Sequence, residues 1–149
     1  MNKQTVAILT KIALISIFVL TSFESSSIGE NGNFKSQQEQ DAFITATLKK
    51  IAIEINSQTP IQIDQDTRMM SVISIGKTLN YYMILNNYKS SQLNPIDIEN
   101  SAKEILNDAV CKNKSTRDLI DMGVKYRYNY RGNDNKFVTN VVIDYYGCK

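Results

Sequence analysis

Few side chains of this 149-residue chain could carry out chemistry. The sequence contains no histidine, which is the usual general base near neutral pH and the commonest metal ligand. A serine or cysteine nucleophile needs such a base to accept its proton. The sequence also has no glycine-rich loop that could hold a phosphate. We therefore predict a protein that is not an enzyme and that binds no cofactor.

One close pair of carboxylates, Asp64 and Asp66, could support glycoside hydrolysis or bind calcium. They follow Pro60 in a polar stretch, and residues 64–68 lack the glycine and the distal glutamate of an EF-hand loop. The oxygen-rich residues 132–135 have the composition of an ordinary turn. We interpret both segments as turns and expect no metal site.

The beginning of the chain has the pattern of an export signal. Lys3 and Lys11 precede an apolar run over residues 12–20, and Ser25 and Ser27 are small residues at positions −3 and −1 of a cleavage site. The alternative is an uncleaved anchor, but the uncharged stretch is shorter than the about 20 residues that a spanning helix needs.

This pattern predicts three parts: a signal peptide (1–27), a flexible leader (28–37) and a single domain (38–149). We expect the mature chain to have no membrane span and to reside in the periplasm or to be secreted. In such an oxidising compartment, Cys111 and Cys148 would form a disulfide. Two unpaired buried thiols are the alternative.

Basic side chains alternate with tyrosines near the C-terminus. Lys125, Arg127 and Arg131 alternate with a series of tyrosines, so a strand would place the two sets on opposite faces. A nucleic-acid platform needs cations and aromatic rings on the same face, and the chain without residues 1–27 is almost neutral. We therefore expect no nucleic-acid partner. We interpret the tyrosines as a core face and the cations as an outer face that could contact a protein.

The apolar patterns predict seven main elements in the order α-β-β-α-α-β-β. The predicted elements are a helix over 37–57 with Ser36 as N-cap, strands over 67–74 and 78–86, a helix from Asn94-Pro95 to about Cys111, a short helix with Ser115 as N-cap and Gly123 after its end, and a final hairpin whose return strand spans 136–146. Residues 61–63 could add an edge strand. The pattern favours an α+β fold with an antiparallel sheet of four or five strands and helices packed on one face.

Several local motifs follow one another along the chain in an order and spacing that are typical of a known family. They are a first helix running into a Pro-containing segment (53–60), a strand pair around Gly76, a helix ending in Cys111, a short helix with Gly123, a glycine turn at Gly132 and a last strand ending in Cys148. With these motifs, residues 40–148 resemble the α/β class of type II secretion system pilotins. Pilotins of this class usually carry a cysteine directly after the signal peptide, and this chain has none there.

The resemblance implies a periplasmic protein that binds a helical segment of an outer-membrane secretin and escorts it to its assembly site. We accordingly predict a small exported protein-binding domain. Alternative functions are a secreted effector or enzyme with an unrecognised site, and a periplasmic inhibitory or structural domain. We place the predicted partner-binding groove between the first helix and the hairpin that carries Met69, Met70, Tyr81 and Tyr82. The alternative is that these four residues are core or incidental surface.

Overall fold

The computed structural model describes residues 34–149. The predicted signal peptide (1–27) and leader residues 28–33 lie outside the described residues. The elements are α1 (Gln37–Asn56), β1 (Ile61–Gln62), β2 (Thr67–Ile75), β3 (Thr78–Leu85), a short 3₁₀ helix (Ser90–Gln92), α2 (Pro95–Cys111), α3 (Lys114–Asp121), β4 (Lys125–Gly132) and β5 (Phe137–Ile143). In this described part, no helix has the length and apolar character needed to cross a bilayer.

Helix α1 begins where its sequence predicts and ends one residue earlier, at Asn56. The Ser36 side chain accepts a hydrogen bond from the Glu39 backbone N–H at 3.2 Å and so caps the first turn. Its apolar stripe contributes four residues, each 0–2 % exposed, to the core: Ile44, Leu48, Ile51 and Ile55. Burial of this stripe against β2 and β3 holds the helix on one face of the sheet.

The five strands form one sheet in the order β1-β2-β3-β4-β5. Neighbouring strands are antiparallel except for β3 and β4, which are parallel. The predicted α+β class and element order are confirmed, but the sheet is mixed and not wholly antiparallel. The reason is that α2 and α3 form a crossover, which returns the chain to the end of the sheet where β3 began.

Of the two later helices, α2 has its predicted bounds and α3 begins earlier than predicted. Asn94 caps α2, since its Oδ1 accepts from the Ile96 N–H at 3.0 Å. The N-cap of α3 is Asn113 and not Ser115, because the Asn113 Oδ1 accepts hydrogen bonds from the N–H groups of the second and third helical residues. After α3, Gly123 has φ +90°, which suits a glycine beyond a helix end.

The predicted disulfide is present. Cys111, the last residue of α2, is bonded to Cys148 after β5. The Arg117 guanidinium of α3 donates a hydrogen bond to the Cys148 carbonyl at 2.9 Å. The C-terminal segment is therefore fastened to both helices of the crossover.

The predicted tyrosine-rich core face is also present. Tyr126, Tyr128 and Tyr130 of β4 are 2–7 % exposed, and the Tyr128 ring stacks on Tyr81 of β3 with centroids 4.7 Å apart. Burial raises the pKa of each of these three β4 phenols above its ordinary value, because an ionised phenolate would lose its hydration there.

Candidate protein-binding surface

One face of the sheet packs on the helices, and the other carries no helix among residues 34–149. The buried residues of all three α-helices join those of the core-facing strand positions in a single apolar cluster. We call the opposite side the open face. The strand registers place these residues on it: Arg68, Ser71, Ile73, Ile75, Thr78, Asn80, Tyr82, Ile84, Lys125, Arg127, Asn129, Arg131, Asn140 and Val142.

The centre of the open face is formed by β3, whose side chains there are of two kinds. Tyr82 and Ile84 are half-buried and present apolar surface. Asn80 is buried and its amide donates to the Ile73 carbonyl of β2 at 3.3 Å. On β4, the Asn129 amide likewise donates to the Tyr81 carbonyl at 3.2 Å. These amides are bonded to neighbouring backbone, so the protruding surface along β3 is the tyrosine and the isoleucine.

Basic residues lie on both sides of this central strand. Arg68 of β2 and Arg131 of β4 both pair with Ile84, so one arginine stands on each side of that isoleucine. Nearer the start of β4, Arg127 pairs with Asn80, and Lys125 is the first residue of the strand and pairs with Thr78. None of the open-face positions is an aspartate or a glutamate. The open face therefore combines an apolar centre with positive charge at its sides.

These cations are not neutralised by acidic residues in the part of the chain that the structure describes. The ion pairs found there join Lys77 to Asp41, Lys112 to Asp108 and Arg117 to Asp121, all away from the open face. Among residues 34–149, the buried Nε of Arg68 has no hydrogen-bond partner. Arg131 donates to the Asn135 carbonyl at 2.8 Å, which leaves its charge uncompensated.

Exposed aliphatic residues continue the open face towards β2. Ile73 is 47 % exposed and Ile75 is 64 % exposed. Such apolar surface on a sheet is typical of a site that another molecule covers.

The edge of β2 is closed for part of its length. Strand β1 pairs only with Arg68 and Met69. Beyond it, the Asn56 side chain takes the place of a neighbouring strand: its Nδ2 donates to the Val72 carbonyl at 2.8 Å and its Oδ1 accepts from the Val72 N–H at 2.8 Å. This amide satisfies backbone groups that would otherwise attract another strand. The open face is thus a more accessible surface than this stretch of the edge.

The structure separates the four predicted partner-binding residues. Met69 and Tyr81 are each 1 % exposed and lie in the core under α1, so no groove lined by these two side chains separates the helix from the hairpin. Met70 lies at a register shift between Met69 and Ser71 and is 36 % exposed, and Tyr82 lies on the open face. The binding role of the hairpin stays a prediction, and Met70 and Tyr82 are the residues available for it.

Sequence reasoning did not single out Arg68, Ile73 and Ile84 as site residues. The available signal was that β2 and β3 carry apolar residues on both faces, whereas a strand with one solvated face normally alternates apolar with polar residues. Lys125, Arg127 and Arg131 were placed correctly on an outer face.

The two segments that could have held a catalytic carboxylate pair or a metal ion, around Asp64 and over residues 132–135, form turns. The Asp64 Oδ1 accepts hydrogen bonds from the backbone N–H groups of Asp66 and Thr67, both at 2.8 Å, and so shapes the entry into β2. Asp134 accepts from the hydroxyl of Ser90 at 2.8 Å. Within residues 34–149, no three acidic or cysteine side chains come together in a way that could hold a metal ion.

The fold is shared with three solved structures. It is similar to a "putative secreted protein" from Pseudomonas aeruginosa, at 23% identity and a TM-score of 0.61, covering 74% of this chain and 96% of that one. It is also similar to the type 2 secretion pilotin EpsS from Vibrio vulnificus, at 18% identity and a TM-score of 0.63, covering 75% of this chain and 97% of that one.

The third structure is the type II secretion pilotin AspS from Vibrio cholerae, at 17% identity and a TM-score of 0.59, covering 74% of this chain and 97% of that one. The resemblance to pilotins is thus confirmed as a likeness of fold. No curated protein matches the chain. Residues 36–149 match the family described as "putative quorum-sensing-regulated virulence factor", and this chain belongs to that family.

Proposed function

We propose that this chain is a pilotin-like exported protein, without enzymatic activity, that binds a helical segment of an outer-membrane secretin. The observation that carries the proposal is the fold shared with two type II secretion pilotins over 97% of each of their chains. The residues of this chain add a second reason, because the open face carries no helix among residues 34–149 and has an apolar centre flanked by cations.

A helix could bury substantial apolar area on this surface. Strands of a sheet lie about 4.8 Å apart, and a helix with its side chains is about 10 Å wide. A helix over β3 would therefore span the strands on each side, β2 and β4. Its apolar stripe would cover Tyr82 and Ile84, and removal of this area from water would favour the complex.

Export of the chain is part of this proposal. Cleavage after Ser27 would leave a mature protein in the periplasm, where secretin subunits pass on their way to the outer membrane. N-terminal sequencing of the native protein should begin near Ile28. An intact Met1 on the membrane-free protein would contradict export by a cleaved signal.

Calorimetry with the mature protein and overlapping peptides of the secretin from the same cell would test the binding role. We expect one helical segment to bind, and Tyr82→Ala to weaken that binding by more than about 1 kcal/mol if Tyr82 anchors it. Tyr146→Ala is the matched control, because Tyr146 is 81 % exposed and lies beyond β5. If no secretin segment binds, the pilotin-like function is wrong.

A secreted effector is the second candidate, favoured by the family's description as a virulence factor. Fractionation of the native cell separates the two functions. Retention in the periplasm is the result expected of a pilotin-like protein, and release into the medium is the result expected of an effector.

A further inference from the structure

We propose that the open face selects an acidic amphipathic helix, in which an apolar stripe is flanked by aspartate or glutamate residues. This inference rests on the proposed function in that the partner is a protein helix, but it does not require that helix to belong to a secretin. It names the chemistry by which the surface distinguishes its partner from other helices.

Charge is distributed unequally over the two faces of the sheet. Four cations lie on the open face, namely Arg68, Lys125, Arg127 and Arg131, and none of the strand positions on this face in residues 34–149 is an aspartate or a glutamate. The chain as a whole has a formal charge of only +2, so this concentration belongs to one surface. Such a surface attracts a negatively charged partner and repels a basic one.

The positions of the cations fit a helix that lies along β3. Arg68 and Arg131 stand on either side of Ile84 and are separated by two strand spacings, or about 10 Å. That separation equals the width of a helix with its side chains. The apolar stripe would rest on Ile84 and Tyr82, and acidic residues at its two margins would reach the arginines.

The spacing along β4 also matches a helical repeat. Lys125 and Arg127 are two residues apart, or about 6.8 Å along the strand, and Arg131 is six residues from Lys125, or about 20 Å. On a helix, residues i, i+4 and i+14 share a face at heights of 0, about 6 and about 21 Å. One row of acidic residues on the partner could therefore meet all three cations.

Arg68 supplies an independent observation. Its Nε is buried and, among residues 34–149, has no hydrogen-bond partner. No ion pair among residues 34–149 includes Arg68, so a carboxylate that reached the outer part of its guanidinium would form a charge-assisted hydrogen bond. An acidic side chain at the partner's margin over β2 would supply this bond.

A fluorescent 20-residue helical peptide with a leucine stripe flanked by glutamates is a suitable probe, titrated by anisotropy into the mature protein. The double variant Lys125→Glu and Arg127→Glu should bind it about tenfold more weakly, since each reversal replaces an attraction by a repulsion. Both residues are exposed, so the variant should keep the parent circular-dichroism spectrum and melting temperature. Lys103→Glu with Lys114→Glu is the matched control, because it makes the same charge change on exposed helical positions.

A second peptide, in which lysines replace the glutamates, should show the opposite order and bind the Lys125→Glu, Arg127→Glu variant better than the parent. The proposal is overturned if the glutamate peptide fails to bind the parent, or if the control variant weakens its binding as much. It is also overturned if the parent binds single-stranded DNA or anionic vesicles more tightly than it binds the glutamate peptide, and the Lys125→Glu, Arg127→Glu variant no longer binds them.

The outcomes separate this inference from the proposed function. If a secretin segment binds and is insensitive to Lys125→Glu with Arg127→Glu, the acidic-helix inference fails and the pilotin-like function stands. If the glutamate peptide binds as expected and no secretin segment does, the inference stands and the pilotin-like function fails.

Discussion

Replacing Asn56 with alanine should lower the free energy of unfolding by about 1–3 kcal/mol. The Asn56 amide forms two hydrogen bonds of 2.8 Å with the backbone of Val72 at the edge of the sheet. A typical hydrogen bond contributes about 0.5–1.5 kcal/mol net, so the pair accounts for this range. Because alanine is the better helix former by up to about 0.7 kcal/mol, the measured loss of unfolding free energy should fall in the lower half of this range.

Urea unfolding of the mature protein, followed by circular dichroism, would measure this loss as a shift of the midpoint at unchanged slope. Asn56→Asp separates the two bonds, since a carboxylate can accept from the Val72 N–H but cannot donate to its carbonyl. Gln58→Ala, in the exposed turn after α1, is the control. Hydrogen exchange of the Val72 amide should also become faster in Asn56→Ala. If the stability of Asn56→Ala stays within about 0.5 kcal/mol of the parent and exchange at Val72 is unchanged, the Asn56 amide does not stabilise the edge of the sheet.

Unfolding measurements on the mature protein also test three further predictions about its stability. Gly132→Ala should lower the free energy of unfolding by about 1–3 kcal/mol, because the new methyl group would overlap the backbone nitrogen of Ser90. Gly147→Ala, whose nearest contact would be 3.6 Å, should change stability little. Cys111→Ser should cost about 2–5 kcal/mol without reductant, and an unchanged melting curve would contradict the role of the disulfide. The fold should also lose stability progressively above pH about 10, because burial raises the folded-state pKa of Tyr126, Tyr128 and Tyr130 above the unfolded value. The contribution of these phenols to stability is complete below that pH and is lost as the pH rises through the folded pKa. Tyrosinate absorbance should follow this loss, and substitution of these tyrosines with phenylalanine should reduce it.

Local signals in the sequence predicted most of the secondary structure. The Ser36 cap, the apolar period of α1 and the alternation in β4 each depend on residues close together in the chain, so they could be recognised without the fold. The start of α3 was predicted two residues late, because Asn113 and Ser115 are both good N-caps and only the structure shows which one bonds to the helix.

Strand direction and register depend on distant parts of the chain. The parallel pairing of β3 with β4 follows from the path of the crossover through α2 and α3, which periodicity does not specify. The register shift between Met69 and Ser71 interrupts the alternation in β2, so that Met69 and Val72, three residues apart, both face the core. For this reason the sequence could select the hairpin as a binding region but could not tell which of its residues are exposed.

The open face could be predicted only in part. The basic residues of β4 were assigned to an outer face from alternation alone. Their relation to Arg68 and Ile84 required the order β2-β3-β4, which brings together residues about 60 positions apart in the sequence.

Photo-cross-linking in the native cell would test whether the open face contacts the secretin. Benzoylphenylalanine in place of Tyr82 lies on the open face, and the same residue in place of Tyr146 lies beyond β5 and serves as the control. If the open face binds the secretin, irradiation should yield a covalent adduct with it from position 82 and much less from position 146. Absence of a secretin adduct at position 82, or equal yields at the two positions, would contradict binding at the open face.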